Sequence, residues 1–264
     1  MRCEMNKILF IITLLFYNGA SYAIPPQFSS QPSFEDNFHT NNLDETKWIY
    51  RYLGKRNFCI NDKSAFSIQN NILKITTYTT KNEKGEMNNY CGMIATDGKF
   101  KQQYGYWEAS IRFNSIQGVQ AAFWIQSATI GEDISNPEKS GVEIDVFEHL
   151  AEAKANEYDS AIHWNGYGDA HKYWSKKYTG ANINDGKFHT FSVAWTPAGY
   201  TFYLDNKEVE HVSAKVAPIS TAEQYIILST EVPRKNYPSS GFGNINESKS
   251  TLEIKYVKVY PLKK

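Results

Sequence analysis

Tyr106-Trp107-Glu108-Ala109-Ser110-Ile111-Arg112-Phe113 alternates residue by residue: Trp107, Ala109, Ile111 and Phe113 share one face, and Glu108, Ser110 and Arg112 the other. Period two is the mark of a half-buried strand. The pattern recurs outward along the chain, with Phe191, Val193 and Trp195 set between Thr190, Ser192 and Ala194, and with Leu252, Ile254 and Tyr256 flanking Glu253 and Lys255. Turn signals separate such runs: Asn70-Asn71, Asp97-Gly98, Pro197-Ala198-Gly199, Asp205-Asn206 and the polar loop 238–246. One short stretch, 150–158, reads as helix. Many strands, little helix and no linker or repeat predict an all-β chain folded as a single sandwich of two antiparallel sheets. If one sheet curves, its outward residues line a concave groove suited to an extended polymer.

The totals fit one such domain. The 264 residues lie near the ~250 that all-β domains reach. Eighteen Tyr, 15 Phe and 6 Trp suit both strands and the flat faces of sugars. Twenty-eight basic residues balance 28 acidic ones, which excludes the electrostatic footprint of a nucleic-acid or anionic-membrane binder. Residues 1–23 read as a secretory signal: Arg2 and Lys7, the apolar run 8–17, then small Ser21 and Ala23 before Ile24. The run is too short to span a bilayer, which takes ~20 residues. The expected mature domain is 24–264, exported, free of membrane and monomeric. It keeps only Cys59 and Cys91, an even count where disulfides persist, so the two are expected to pair.

The chemistry concentrates in Gly141-Val142-Glu143-Ile144-Asp145-Val146-Phe147-Glu148-His149. Glu143 and Asp145 are two apart and share a strand face, while Val142, Ile144 and Val146 turn to the core. Glu148 falls on the wrong face unless one extra residue near Val146-Phe147 makes a β-bulge. Three clustered carboxylates resist joint ionisation and raise at least one pKa. A glycosidase needs that pairing, one carboxylate as nucleophile and one carboxyl still protonated. A solvated acidic face or a calcium site would use the same residues.

Glu143-Ile144-Asp145-Val146-Phe147-Glu148 resembles the signature of glycoside hydrolase family 16, which includes laminarinases, lichenases, agarases and κ-carrageenases. Flanking segments resemble the family in the same order: Phe34 to Phe38 with Trp48, 71–75, Cys91-Gly92-Met93-Ile94, 104–109, Ala121-Ala122-Phe123-Trp124-Ile125, and Phe188-His189-Thr190-Phe191 with Trp195-Thr196-Pro197. The resemblance implies a β-jelly-roll with a concave substrate cleft and a retaining double displacement on a polysaccharide. Glu143 would be the nucleophile, Glu148 the acid and base, and Asp145 the assisting carboxyl. It further implies that Trp124, His163 and Glu231 line the cleft, and that no cofactor is required.

Two residues between Asp145 and Glu148 resemble laminarinases and marine galactanases, whereas lichenases have one. Cys59 and Cys91 nonetheless occupy the positions of a lichenase disulfide, and Met93-Ile94-Ala95 replaces the Glu and Arg typical of lichenases there. Lys172, Lys176 and Lys177 form a local basic run, which reads as a solvated loop rather than a sulfate-binding groove. A β-1,3- or mixed β-1,3/1,4-glucan is therefore the expected substrate. A family 16 galactanase or transglycosylase is the enzymatic alternative. A lectin-like module is the other, although binding alone gains nothing from three repelling acids. No metal is expected, because Lys255 stands where the family often supplies a calcium ligand.

Overall fold

A computed structural model describes residues 24–114, 116–235 and 238–264; the signal-like segment 1–23 lies outside them. Two large antiparallel sheets of eight and seven strands face one another, and a four-stranded sheet sits at one end. The first is centred on Gly105–Phe113, paired with His189–Thr196 and Thr251–Tyr260. The second runs in the order Lys172–Tyr178, Tyr158–Trp164, Glu143–His149, Gln120–Ser127, Gln224–Glu231, Met93–Ala95, Ile49–Tyr50.

The alternation read from 106–113 is the packing of the first sheet. Trp107, Ala109, Ile111 and Phe113 enter one core between the sheets, with Phe191, Val193, Trp195, Leu252 and Ile254 beside them and Val142, Ile144 and Val146 opposite. Each large side chain so buried contributes about 1.5–3 kcal/mol. Asn70-Asn71 and Asp205-Asn206 take positive φ at both residues, as two-residue hairpin turns demand.

Three expectations are corrected. Lys172, Lys176 and Lys177 lie on the edge strand Lys172–Tyr178, paired to Tyr158–Trp164, rather than on a loop. Tyr256 does not share the core face of Leu252 and Ile254. Ser110 pairs with Tyr256 while Ile111 pairs with Ile254, so Lys255 is skipped and the alternation reverses. Tyr256 then lies on the outer face near Glu108, and Val257 and Val259 take over the core. Nor is 150–158 a helix. Nine residues are too few to nucleate one without a packed face, and the segment forms turns closed by Ala153 N–H to Leu150 O and Glu157 N–H to Lys154 O. Tyr158 opens a strand instead. The helices among the described residues are single turns, Pro137–Ser140 and the 3-10 turn Lys63–Ala65.

No helix of the described residues is long and apolar enough to cross a membrane. Cys59 and Cys91 form a disulfide with Cα atoms 6.0 Å apart. It ties Cys59–Asn61 to Met87–Cys91 within the small sheet, against buried Val119, Val232 and Phe242.

Candidate active site

The strand Glu143–His149 turns one face to the core and one to a cleft of about 580 Å³ over the outer side of the seven-stranded sheet. Regular alternation carries Glu143 and Asp145 into the cleft and Ile144 into the core. Val146 and Phe147 then both turn to the core, and Glu148 returns to the cleft. The cause is one extra residue. Asp145 pairs with Ala161 and Glu148 with Asp159, so three steps on the acidic strand oppose two on its neighbour. The bulge lifts the Val146 carbonyl off the ladder, and the Ser160 hydroxyl donates to it at 3.1 Å. Phe147 anchors the bulge among aromatics, with ring centroids 4.4 Å from Phe191 and 5.1 Å from Phe113.

The sheet register arranges the cleft floor in rungs. Tyr173, His163, Glu143, Gln126 and Tyr225 are paired in succession across five strands. The next rung holds Ala161, Asp145, Trp124 and Ile227, and the third Asp159, Glu148, Ala122 and Ser229. Glu231 pairs with Gln120 beyond them.

Each acid has a distinct setting. Glu143 Oε2 accepts from Gln126 Nε2 at 2.8 Å and from the Tyr167 hydroxyl. Burial raises its pKa, opposed by the Tyr167 hydrogen bond, the His163 ring, Gln126 and the Arg51 charge. Asp145 Oδ2 lies 3.3 Å from His163 Nε2 and has no hydrogen-bond partner among the described residues. Its burial, with the charge of Glu143 added, lifts its pKa well above the carboxylate range. Glu148 is raised well above that range too, by burial first and then by Asp145 and Glu143; Gln120 Nε2 donates to its Oε1 at 2.6 Å. The trio thus resists joint ionisation.

Trp124, His163 and Glu231 also line the cleft. Trp124 is only 8% exposed: its indole N–H donates to Ser229 Oγ at 3.1 Å and its ring packs on Met93, Ala95, Tyr225 and Ile227. It is both part of a small core and part of the floor. His163 Nδ1 meets His171 Nε2 at 2.9 Å, with the rings stacked at 8°. Glu231 is ion-paired to Arg56 and accepts from Asn57.

Arg51, Gln120, Gln126, Tyr167 and Tyr225 join the site without a sequence motif to mark them. Gln126 and Tyr225 could have been found by parity, each lying an even number of residues from Trp124 or Glu231 on the same strand. Tyr167 sits at the tip of the hairpin loop 165–171 between Gly166 and Gly168. That loop approaches Gly131 so closely that a Cβ there would stand 2.7 Å from Gly166 Cα, which is how the tyrosine reaches across to Glu143.

Atoms of Glu143, Asp145 and His163 lie within 4.8 Å of one another, near enough for a cation. Tyr167 and Gln126 already occupy Glu143 Oε2.

The pattern described as Glycosyl hydrolases family 16 matches residues 54–250. The chain is 27% identical over 256 residues to the endo-1,3-1,4-beta-glycanase ExsH of Rhizobium meliloti, covering 95% of this chain and 50% of that protein. It is 26% identical over 202 residues to the endo-1,3-1,4-beta-glycanase EglC of the same organism, covering 75% and 40%. The chain therefore spans half or less of these curated relatives. Among solved structures, the catalytic domain of an endo-1,3-beta-glucanase (laminarinase) from Thermotoga petrophila superposes with a TM-score of 0.70 at 21% identity, covering 90% of this chain and all of that one.

Proposed function

This chain belongs to glycosyl hydrolases family 16, and on that premise we propose that it is a retaining endo-β-glucanase. Its substrate is a β-1,3- or mixed β-1,3/1,4-glucan. The observation that carries this reading is the bulge, which brings Glu148 to the same cleft as Glu143. A retaining glycosidase needs two carboxyls across one scissile bond.

In the first step a Glu143 oxygen bonds to the anomeric carbon as the glycosidic C–O bond breaks, and Glu148 passes its proton to the leaving oxygen. In the second, Glu148 takes a proton from water, the hydroxide oxygen bonds to the anomeric carbon, and Glu143 leaves. Hydrogen bonds from Tyr167 and Gln126 favour a charged Glu143, whereas burial and two neighbouring acids favour a protonated Glu148. Both pKa values are raised, but the hydrogen bonds oppose the rise at Glu143 while the neighbouring acids add to it at Glu148, so Glu143 ionises at the lower pH. Asp145, between them and beside His163, holds a proton or a hydrogen bond as the charge moves from one glutamate to the other. Trp124, His163 and Glu231 contact the sugars flanking the bond.

The charges in the cleft favour a neutral polymer. Among the described residues lining it, Arg56 is paired with Glu231, and Arg51 is engaged by Gln126 and Tyr225. Lys176 and Lys177 are paired with Glu210 and Glu157 away from the cleft. Among the described residues, neither cation lining the cleft is without a side-chain partner. The names of the two Rhizobium relatives agree with β-1,3 and β-1,4 linkages. The leader-like 1–23 and the disulfide support export of the catalytic domain 24–264.

Incubation with laminarin, lichenan, agarose, carrageenan and xyloglucan, with products sized over time, tests the reading. Mid-sized oligosaccharides from laminarin or lichenan at early times are expected. Cleavage confined to agarose or carrageenan would replace the substrate assignment, and longer products built on added oligosaccharide would mark a transglycosylase.

A further inference from the structure

We propose that Gln126 is a positioning residue for this reaction: Arg51 and Tyr225 clamp its amide so that its N–H groups hold Glu143 ready for attack. This rests on the reading of Glu143 as nucleophile. A primary amide can offer either end to a carboxylate, but only the nitrogen end binds it. Here the oxygen end is committed. Oε1 accepts from Arg51 Nη2 at 3.0 Å and from the Tyr225 hydroxyl at 2.8 Å. A guanidinium carries donors alone, so reversing the amide would set N–H against N–H. Nε2 must therefore face Glu143 Oε2, which it meets at 2.8 Å, and it also meets the Tyr167 hydroxyl.

Arg51 is itself immobilised. Nη2 contacts the Tyr52 and Tyr225 hydroxyls at 3.1 and 2.8 Å, and the guanidinium lies 4.4, 5.4 and 5.8 Å from the ring centres of Tyr52, Tyr225 and Trp124. The chain of contacts runs from a fixed cation through a fixed amide to one carboxylate oxygen. Both donors to Glu143, Gln126 and Tyr167, converge on Oε2, which leaves Oε1 to approach the anomeric carbon. Gln126 pairs directly with Glu143 in the sheet, so the clamp is built on strands rather than on a loop. A hydrogen-bonded carboxylate with one oxygen pinned is the geometry an in-line attack requires.

Two variants of the full chain separate positioning from mere support of Arg51. Gln126→Leu removes both ends of the clamp. Gln126→Glu keeps an acceptor for Arg51 and Tyr225 but removes the donors to Glu143. On laminarin or lichenan both are expected to lose kcat by roughly tenfold to a hundredfold with KM little changed. The acidic limb of the pH profile should move upward in both, because the charged form of Glu143 loses a donor. The other groups facing Glu143, namely Asp145 and Glu148 on its own strand, His163 on the next, Tyr167 and His171 from the hairpin, Tyr225 beyond Gln126 and Arg51, are common to parent and variants, while Gln126→Glu adds one carboxyl whose repulsion moves the acidic limb the same way. Gln126→Glu with parental kcat and pH profile would overturn the proposal. A parent inactive on every glucan would instead sink the β-glucanase reading, so the Glu143 carboxyl is also titrated by carbon-13 NMR, which needs no turnover. A higher midpoint in Gln126→Leu is expected, and an unchanged midpoint would overturn the clamp.

Discussion

Glu148 is half-buried in the cleft and must stay acidic, and the two demands have opposite consequences for activity and stability. Its pKa is raised by burial and by Asp145 and Glu143, so its proton survives to a higher pH than on an ordinary glutamate. With Glu143 needed ionised and Glu148 needed protonated, kcat/KM should rise through the first titration and fall through the second, as macroscopic values of a coupled set. For stability, a carboxyl whose folded pKa is raised binds more protons in the folded state than in the unfolded one. Its contribution is fully present below about pH 4 and is lost as pH rises through the folded value. Glu148→Gln should therefore lower kcat on polysaccharide by roughly 10²–10⁴-fold and flatten the alkaline limb. The same change should raise the melting temperature at pH 8 by about 2–4 °C. Calorimetry beside the kinetics reads both, and a melting temperature lowered at pH 8 would contradict the buried-acid account. Parity made Glu143 and Asp145 legible as neighbours, since i and i+2 share a face on any strand. Tyr167 was not legible, because its place depends on two loops meeting at Gly131 and Gly166, which no local pattern encodes.

At the scale of elements, the bulge is the feature that converts a strand into a site. It could be inferred because Val146 and Phe147 are consecutive apolar residues inside an otherwise alternating run, and only an extra residue buries both while turning Glu148 out. The analogous bulge at Lys255 went unread, since Tyr256 looks equally at home on either face. The 150–158 segment was misread because helix propensity in a short segment yields to tertiary packing. The small four-stranded sheet was not anticipated either, yet it sets one rim of the cleft. Gly54–Arg56 and Cys59–Asn61 form its hairpin, which delivers Arg56 and Asn57 to Glu231. The disulfide holds that hairpin across a sequence separation of 32. Closing a loop of that length is worth about 4 kcal/mol on chain-entropy grounds. Replacing both cysteines by serine should cost about 2–4 kcal/mol in urea unfolding and weaken glucan binding more than the chemical step. A variant as stable as the parent would show that the bond is dispensable.

Across the whole molecule, one sheet supplies the rear wall of the core and the other supplies both the front wall and the site. Its core face carries Phe123, Ile125, Ile144, Val146, Phe147 and Ile226, so the cleft residues stand on a packed and rigid base. That arrangement suits a reaction in which charge moves between groups fixed in place rather than between groups that must reorganise. The rungs crossing its outer side offer a polymer contacts on either side of Glu143. The sandwich was legible in the chain's alternation and turns. Which outward residues met in one cleft was legible only in part, because strand order in the sheet is not strand order in the sequence. The central claim is that Glu143 becomes covalently joined to sugar through a cleft it shares with Glu148. It is tested by incubating the protein with an activated aryl 2-fluoro-β-glucoside of a laminari-oligosaccharide and locating the added mass by peptide mass spectrometry. The account predicts one sugar adduct, on the peptide containing Glu143 and absent from Glu143→Gln. An adduct on another carboxylate, or full glucan hydrolysis by Glu143→Gln, would contradict it.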